Sequence, residues 1–121
     1  MLSIIHKKAY QDFLNLLVRL QNDCQISDSS ASTTNKDAIW QELKQIFQQR
    51  IITLTDEALE AEVASRWVSL QTEIQRGFRL LQTEWIFCQA ARQPATLTAK
   101  EASVREQLQK LINYCQAILT L

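Results

Sequence analysis

The sequence predicts an all-α protein: a single-domain antiparallel four-helix bundle over 1–121, with one long helix over about 56–92. Three observations carry that prediction. The 121 residues include one glycine and one proline, too little material for the tight hairpin turns that strands depend on. Apolar residues recur at steps of three and four, the spacing of one helix face. These recurrences fall into segments separated by capping or helix-breaking residues.

The first helix is expected from about Ser3 to about Cys24, with Tyr10, Phe13, Leu17, Leu20 and Cys24 on its stripe. Leu14 and Val18 widen that stripe on one side, Ile5 and Leu16 on the other, so this helix should touch at least two neighbours. The stretch "ISDSSASTTN" competes for backbone hydrogen bonds and predicts a flexible Ser/Thr-rich loop over 25–35. Asn35 or Asp37 then caps a second helix carrying Ile39, Trp40, Leu43, Ile46 and Phe47 to about Arg50.

Thr55 is the expected cap of the long third helix, with Asp56 and Glu57 at the positive end of its dipole and Leu54 stapled to Leu59. Leu59, Val63, Trp67, Leu70, Ile74, Phe78, Leu81, Trp85 and Cys88 repeat without a breaker until Gln93 and Pro94. Gly77 costs about 1 kcal/mol relative to alanine and leaves continuity there open. Beyond Pro94, Thr98 and Glu101 have capping-box spacing with Leu97 as the staple, and a fourth helix carries Val104, Leu108, Leu111, Ile112, Cys115, Ile118 and Leu119. Element lengths place helix 2 along the N-terminal half of helix 3 and helix 4 along its C-terminal half, with helix 1 bridging both.

Within "RLLQTEWIFCQ" the apolar residues exceed one stripe. Leu81, Trp85 and Cys88, joined by Leu80 or Phe87, are expected inside, between two neighbouring helices. Val68 and Ile86 share an azimuth directed away from the stripe and are expected to make an external contact. Arg66, Arg76, Arg79 and Arg92 make the later part of this helix locally basic, interrupted by Glu73 and Glu84. The candidate partner-binding residues are therefore Val68, Arg76, Arg79, Ile86 and Arg92, the arginines steering an acidic partner.

Thirteen basic and thirteen acidic side chains balance to zero, which argues against a strong binder of nucleic acid or anionic membrane and for a protein partner. A helical nucleic-acid-binding accessory subunit is the alternative. The surplus apolar surface equally suits a homodimer seam. Cys24, Cys88 and Cys115 are odd in number and widely spaced, as buried thiols of a reduced cytoplasmic protein would be. No signal peptide opens the chain, and no apolar run is long enough to span a bilayer.

Catalytic chemistry is not expected. The single histidine, His6, lacks the Lys and Gly pattern of a phosphotransfer helix and reads as a solvated or partly packed terminal residue. Asp56 and Glu60 stand at i, i+4, but without Glu-x-x-His partners they read as solvated acids and not as metal ligands. No cofactor is expected, since a single glycine cannot build a phosphate-binding loop.

The segments "IWQELKQIFQQRI" and "VASRWVSLQTEIQRGFRLLQTEW", with the closing helix, resemble the PatD family of cyanobacterial heterocyst frequency control proteins in length, helix order and texture. The resemblance covers the chain from about Tyr10 onward. It implies a small cytoplasmic regulator, without enzymatic activity, that binds the tubulin-like division protein FtsZ, modulates its assembly and links cell division to heterocyst frequency. No site residue is carried over from it.

Overall fold

Ser3 opens the first helix, α1 (Ile4–Gln25), by accepting the His6 backbone N–H on its hydroxyl at 3.2 Å, the bond an N-cap supplies. The computed structural model describes backbone for 3–25, 31–57 and 59–121, and side chains for 3–22, 37–57 and 59–121. The Cys24 side chain and the 26–30 part of the expected loop lie outside the described residues. α2 (Ala31–Ile46) runs into a π-helical turn, Phe47–Ile51, and is followed by α3 (Ala61–Ala90) and α4 (Pro94–Leu119). The architecture is an all-α antiparallel bundle, and α3 passes through Gly77 without a break.

Three boundaries depart from expectation. α2 begins at Ala31, so 31–35 are helical and neither Asn35 nor Asp37 is its cap. Propensity differences of at most about 0.7 kcal/mol per residue are too small by themselves to exclude helix from a Ser- and Thr-containing stretch. α3 begins at Ala61 with Glu60 at the N-cap, not after Thr55. Asp56, Glu57 and Glu60 accordingly precede the helix, Glu62 is the acid in its first turn, and Asp56 and Glu60 do not share a helical face. Leu54 and Leu59, expected as a staple, instead pack half-buried against the core from the connection. α4 begins at Pro94, whose fixed φ suits the first helical position. Thr98 is interior to α4 and donates to the Pro94 carbonyl at 2.9 Å.

Neighbouring helices run antiparallel. Asp12 of α1 meets Arg50 at 2.8 Å, while Gln21 of α1 meets Gln109 of α4 at 2.7 Å. α3 and α4 pack tightly at Gly77, where an added Cβ would lie 3.0 Å from a methyl of Leu111. The seam between α2 and α3 is different. Among the described residues no Cα of one comes within 8 Å of a Cα of the other.

Aromatic rings fill that wider seam. Trp85 stacks on Trp40 at 4.8 Å between centroids, Trp40 on Phe78 at 5.5 Å, and Phe78 on Phe47 at 4.1 Å, with Phe13 of α1 tilted against the last two. Such pairs add about 0.5–1.5 kcal/mol each beyond their area burial. Their register sets Trp40 against Trp85 and Asp37 against Gln89 (3.3 Å), so α2 lies along the C-terminal half of α3. The lengths alone suggest the opposite half, but stacking of the rings sets the register. α3 overhangs the end of α2 by its first turns, which the 52–60 connection and α1 cover, and α4 follows α3 from Lys100 beside Glu84 past Leu111 beside Gly77.

Within α1, Leu14 and Leu16 are buried as the wide stripe requires, whereas Ile5 and Val18 are exposed. The core otherwise comprises the expected residues of all four helices, from Tyr10, Phe13, Leu17 and Leu20 to Leu108, Leu111, Cys115 and Ile118.

Candidate partner-binding face

α3 sits at a corner of the bundle, with α4 on one flank and the aromatic seam on the other. Its outer sector is therefore uncovered. At about 100° per residue, Val68, Thr72, Arg76, Arg79, Thr83 and Ile86 fall within roughly 80° of azimuth on that sector, and all are exposed. Ile86 is 64% exposed. Val68 and Ile86, the apolar ends, stand 18 residues apart, about 27 Å along the axis.

The structure thus brings four of the five expected residues together. Arg92 is not among them: α3 ends at Ala90, and Arg92 is exposed in the connection to α4. Leu80 and Phe87 correct another expectation, since each is 49% exposed instead of internal. Both border the sector on its α4 side, farther out than Gly77 and Glu84, where α4 reaches Phe87 only through Lys100. Their offset from Val68 and Ile86 by about one helical position, readable from spacing, was the available signal.

Thr72 and Thr83 donate to the carbonyls of Val68 and Arg79 at 2.8 and 3.2 Å. Their hydroxyls are satisfied within the helix, so they add apolar character to the face. Arg76 reaches Glu73 at 3.4 Å, an exposed pair of little energetic weight, and Arg79 has no ion pair among the described residues. A shallow depression runs between two rows of side chains, Thr72–Arg76–Leu80 and Gln75–Arg79–Thr83. At the α4 edge, Lys100 holds Glu84 at 3.5 Å and lies 5.0 Å over the Phe87 ring.

A second cluster lies at the bundle end that holds the start of α1. His6 is buried, not solvated as its terminal position suggested. The Thr55 carbonyl can only accept, so Nε2–H donates to it at 2.9 Å and Nδ1 accepts from the Ser3 hydroxyl at 2.5 Å. The imidazole meets Trp67 edge-on at 5.4 Å. With both nitrogens engaged, His6 ties the start of α1 to the 52–60 connection and presents no free nitrogen to a phosphoryl donor.

Beside it, the Trp67 indole donates to the Tyr10 hydroxyl at 2.9 Å, Tyr10 donates to Gln71 Oε1, and Gln71 Nε2 donates to the Ile51 carbonyl at 2.8 Å. That carbonyl ends the π-helical turn. Burial pushes the Tyr10 phenol well above its ordinary range, outweighing the Trp67 bond, which acts in the opposite direction. Burial likewise pushes the Cys115 thiol up to about 12.

Among the described residues no three His, Cys, Asp or Glu side chains are grouped to hold a metal, and no helix is long and apolar enough to cross a membrane. The fold and the face together define a small helical bundle with an uncovered, apolar and basic surface on α3. Comparisons with protein-family models, curated proteins and solved structures gave no match to the chain.

Proposed function

We propose that the chain is a non-enzymatic helical adaptor that binds a protein partner through the outer face of α3. The observation that carries this reading is the exposure of Val68, Leu80, Ile86 and Phe87 around Arg76 and Arg79 on one rigid helix. Arginine is enriched among binding hot spots, and contiguous exposed apolar side chains beside it mark surface that a partner can cover. His6, the residue type most often used for acid–base chemistry, is committed to holding the fold.

The partner we propose is FtsZ, whose assembly the protein modulates, coupling division to heterocyst frequency; the resemblance supports this choice. The test is sedimentation of FtsZ with GTP, alone and with the wild-type chain or the Val68→Asp/Ile86→Asp double variant. Wild-type protein should co-pellet or change the polymer yield, and the variant should do neither while remaining folded. An equal effect of both proteins removes the α3 face from the proposal, and no effect of either removes FtsZ.

A further inference from the structure

The chemistry of the α3 face narrows what can cover it. Thr72–Arg76–Leu80 and Gln75–Arg79–Thr83 are two i, i+4 rows, and the depression between them is the kind of groove into which the side-chain ridge of another helix packs. Backbone donors and acceptors in this stretch are used within α3, so the face offers no edge for an added strand.

Its charge is not self-complementary. If two copies paired antiparallel so that Val68 of each met Ile86 of the other, the symmetry axis would pass near the middle of the face. Arg76 and Arg79 of both copies would then gather around that axis. Glu73, already beside Arg76 at 3.4 Å, is the one acid within reach of this cluster in the described ion pairs. Like charges brought together at an interface oppose association, so the central arginines disfavour a second copy and favour carboxylates.

From this juxtaposition we infer that the α3 face receives an acidic-centred amphipathic helix of about five turns. Carboxylates at its middle meet Arg76 and Arg79, and apolar side chains about 27 Å apart seat against Val68 at one end and Ile86 with Phe87 at the other. This rests on the adaptor reading and specifies the partner segment. Lys100, 5.0 Å over the Phe87 ring, adds a cation at the border of this apolar end.

The experiment titrates two synthetic helical peptides of about 20 residues into the isotope-labelled full chain, followed by amide NMR shifts. One carries Glu at its centre and Leu at its ends, and the other has Lys in place of Glu. The Glu peptide should bind at least tenfold more tightly, shift amides over 68–87, and weaken steeply with salt. Arg76→Glu with Arg79→Glu should reverse the order of the two peptides.

Equal affinities, shifts confined elsewhere, or binding of neither peptide would overturn the inference. So would a light-scattering mass twice 14.0 kDa that Val68→Asp returns to the monomer value, since the face would then belong to a second copy. If both peptides fail while FtsZ still responds to the Val68→Asp/Ile86→Asp variant, only the acidic helix is lost. If FtsZ fails and the Glu peptide binds as described, the face stands and FtsZ alone is displaced.

Discussion

Tyr10 has a hydroxyl with two obligations, accepting from Trp67 and donating to Gln71, and both partners are buried. Removing it leaves an indole N–H and an amide oxygen unsatisfied inside the bundle. Tyr10→Phe should therefore cost about 1–3 kcal/mol, read as a lower urea midpoint at unchanged slope. A variant as stable as wild type would mean that water reaches these groups.

Tyr10 and Cys115 also make a pH dependence at the same scale. Each is neutral when protonated, and each holds its proton more tightly folded than unfolded because burial penalises the charge. Their contribution is complete below the ordinary values, 9.0 for the thiol and 10.0 for the phenol. It is lost as pH rises above them, because the unfolded chain then binds fewer protons than the native one. Stability should fall from about pH 9 with a slope near 1.4 kcal/mol per unit from Cys115, steepening above about pH 10 as Tyr10 joins. Cys115→Ala should remove the first part of the slope, whatever it does to stability at neutral pH. A slope unchanged by Cys115→Ala would exclude this thiol as its source.

At the scale of elements, α3 is held to its two flanking neighbours in different ways. Toward α4 the packing is tight at Gly77, where the Leu111 methyl already stands in the place a larger side chain would take. Gly77→Ile should lose about 1–3 kcal/mol through overpacking despite the better helix propensity of isoleucine, measurable as a lower thermal midpoint. Toward α2 the rings of Trp40, Phe78 and Trp85 span the seam. Trp40→Ala should cost about 3–5 kcal/mol and abolish the near-ultraviolet dichroism of the stacked indoles. A retained signal would mean that Trp67 is its source. These two contacts show why the order of elements was legible and their alignment was not. A 3.6-residue period marks Trp40 and Trp85 as core positions, but only the size and stacking of the rings decide which is opposite which.

For the molecule as a whole, core and surface separate cleanly enough to test one without the other. Val68 and Ile86 are exposed and are not members of the core cluster, so replacing both with Asp should change stability by no more than about 0.5 kcal/mol each. Circular dichroism melts of this variant beside wild type check that. A large loss would show that these side chains support the bundle and would undercut their use as a binding face. The candidate face was partly readable in advance: the shared azimuth of Val68 and Ile86 was visible in the spacing, as were the arginines between them. Leu80 and Phe87 face outward against expectation because a sequence shows how many sides of a helix are apolar, but not how many neighbours arrive to cover them.

The sequence by itself determined the helical fold, the four segments and nearly every core residue, because helix periodicity and scarce glycine and proline act locally along the chain. Only the tertiary structure decided that α2 lies on the C-terminal half of α3, that His6 is buried against Trp67, and that the outer sector of α3 is left uncovered. Each of these depends on residues far apart in the chain. Ring stacking across the seam, the carbonyl of Thr55 offered to His6, and the corner position of α3 arise only when several helices are packed at once.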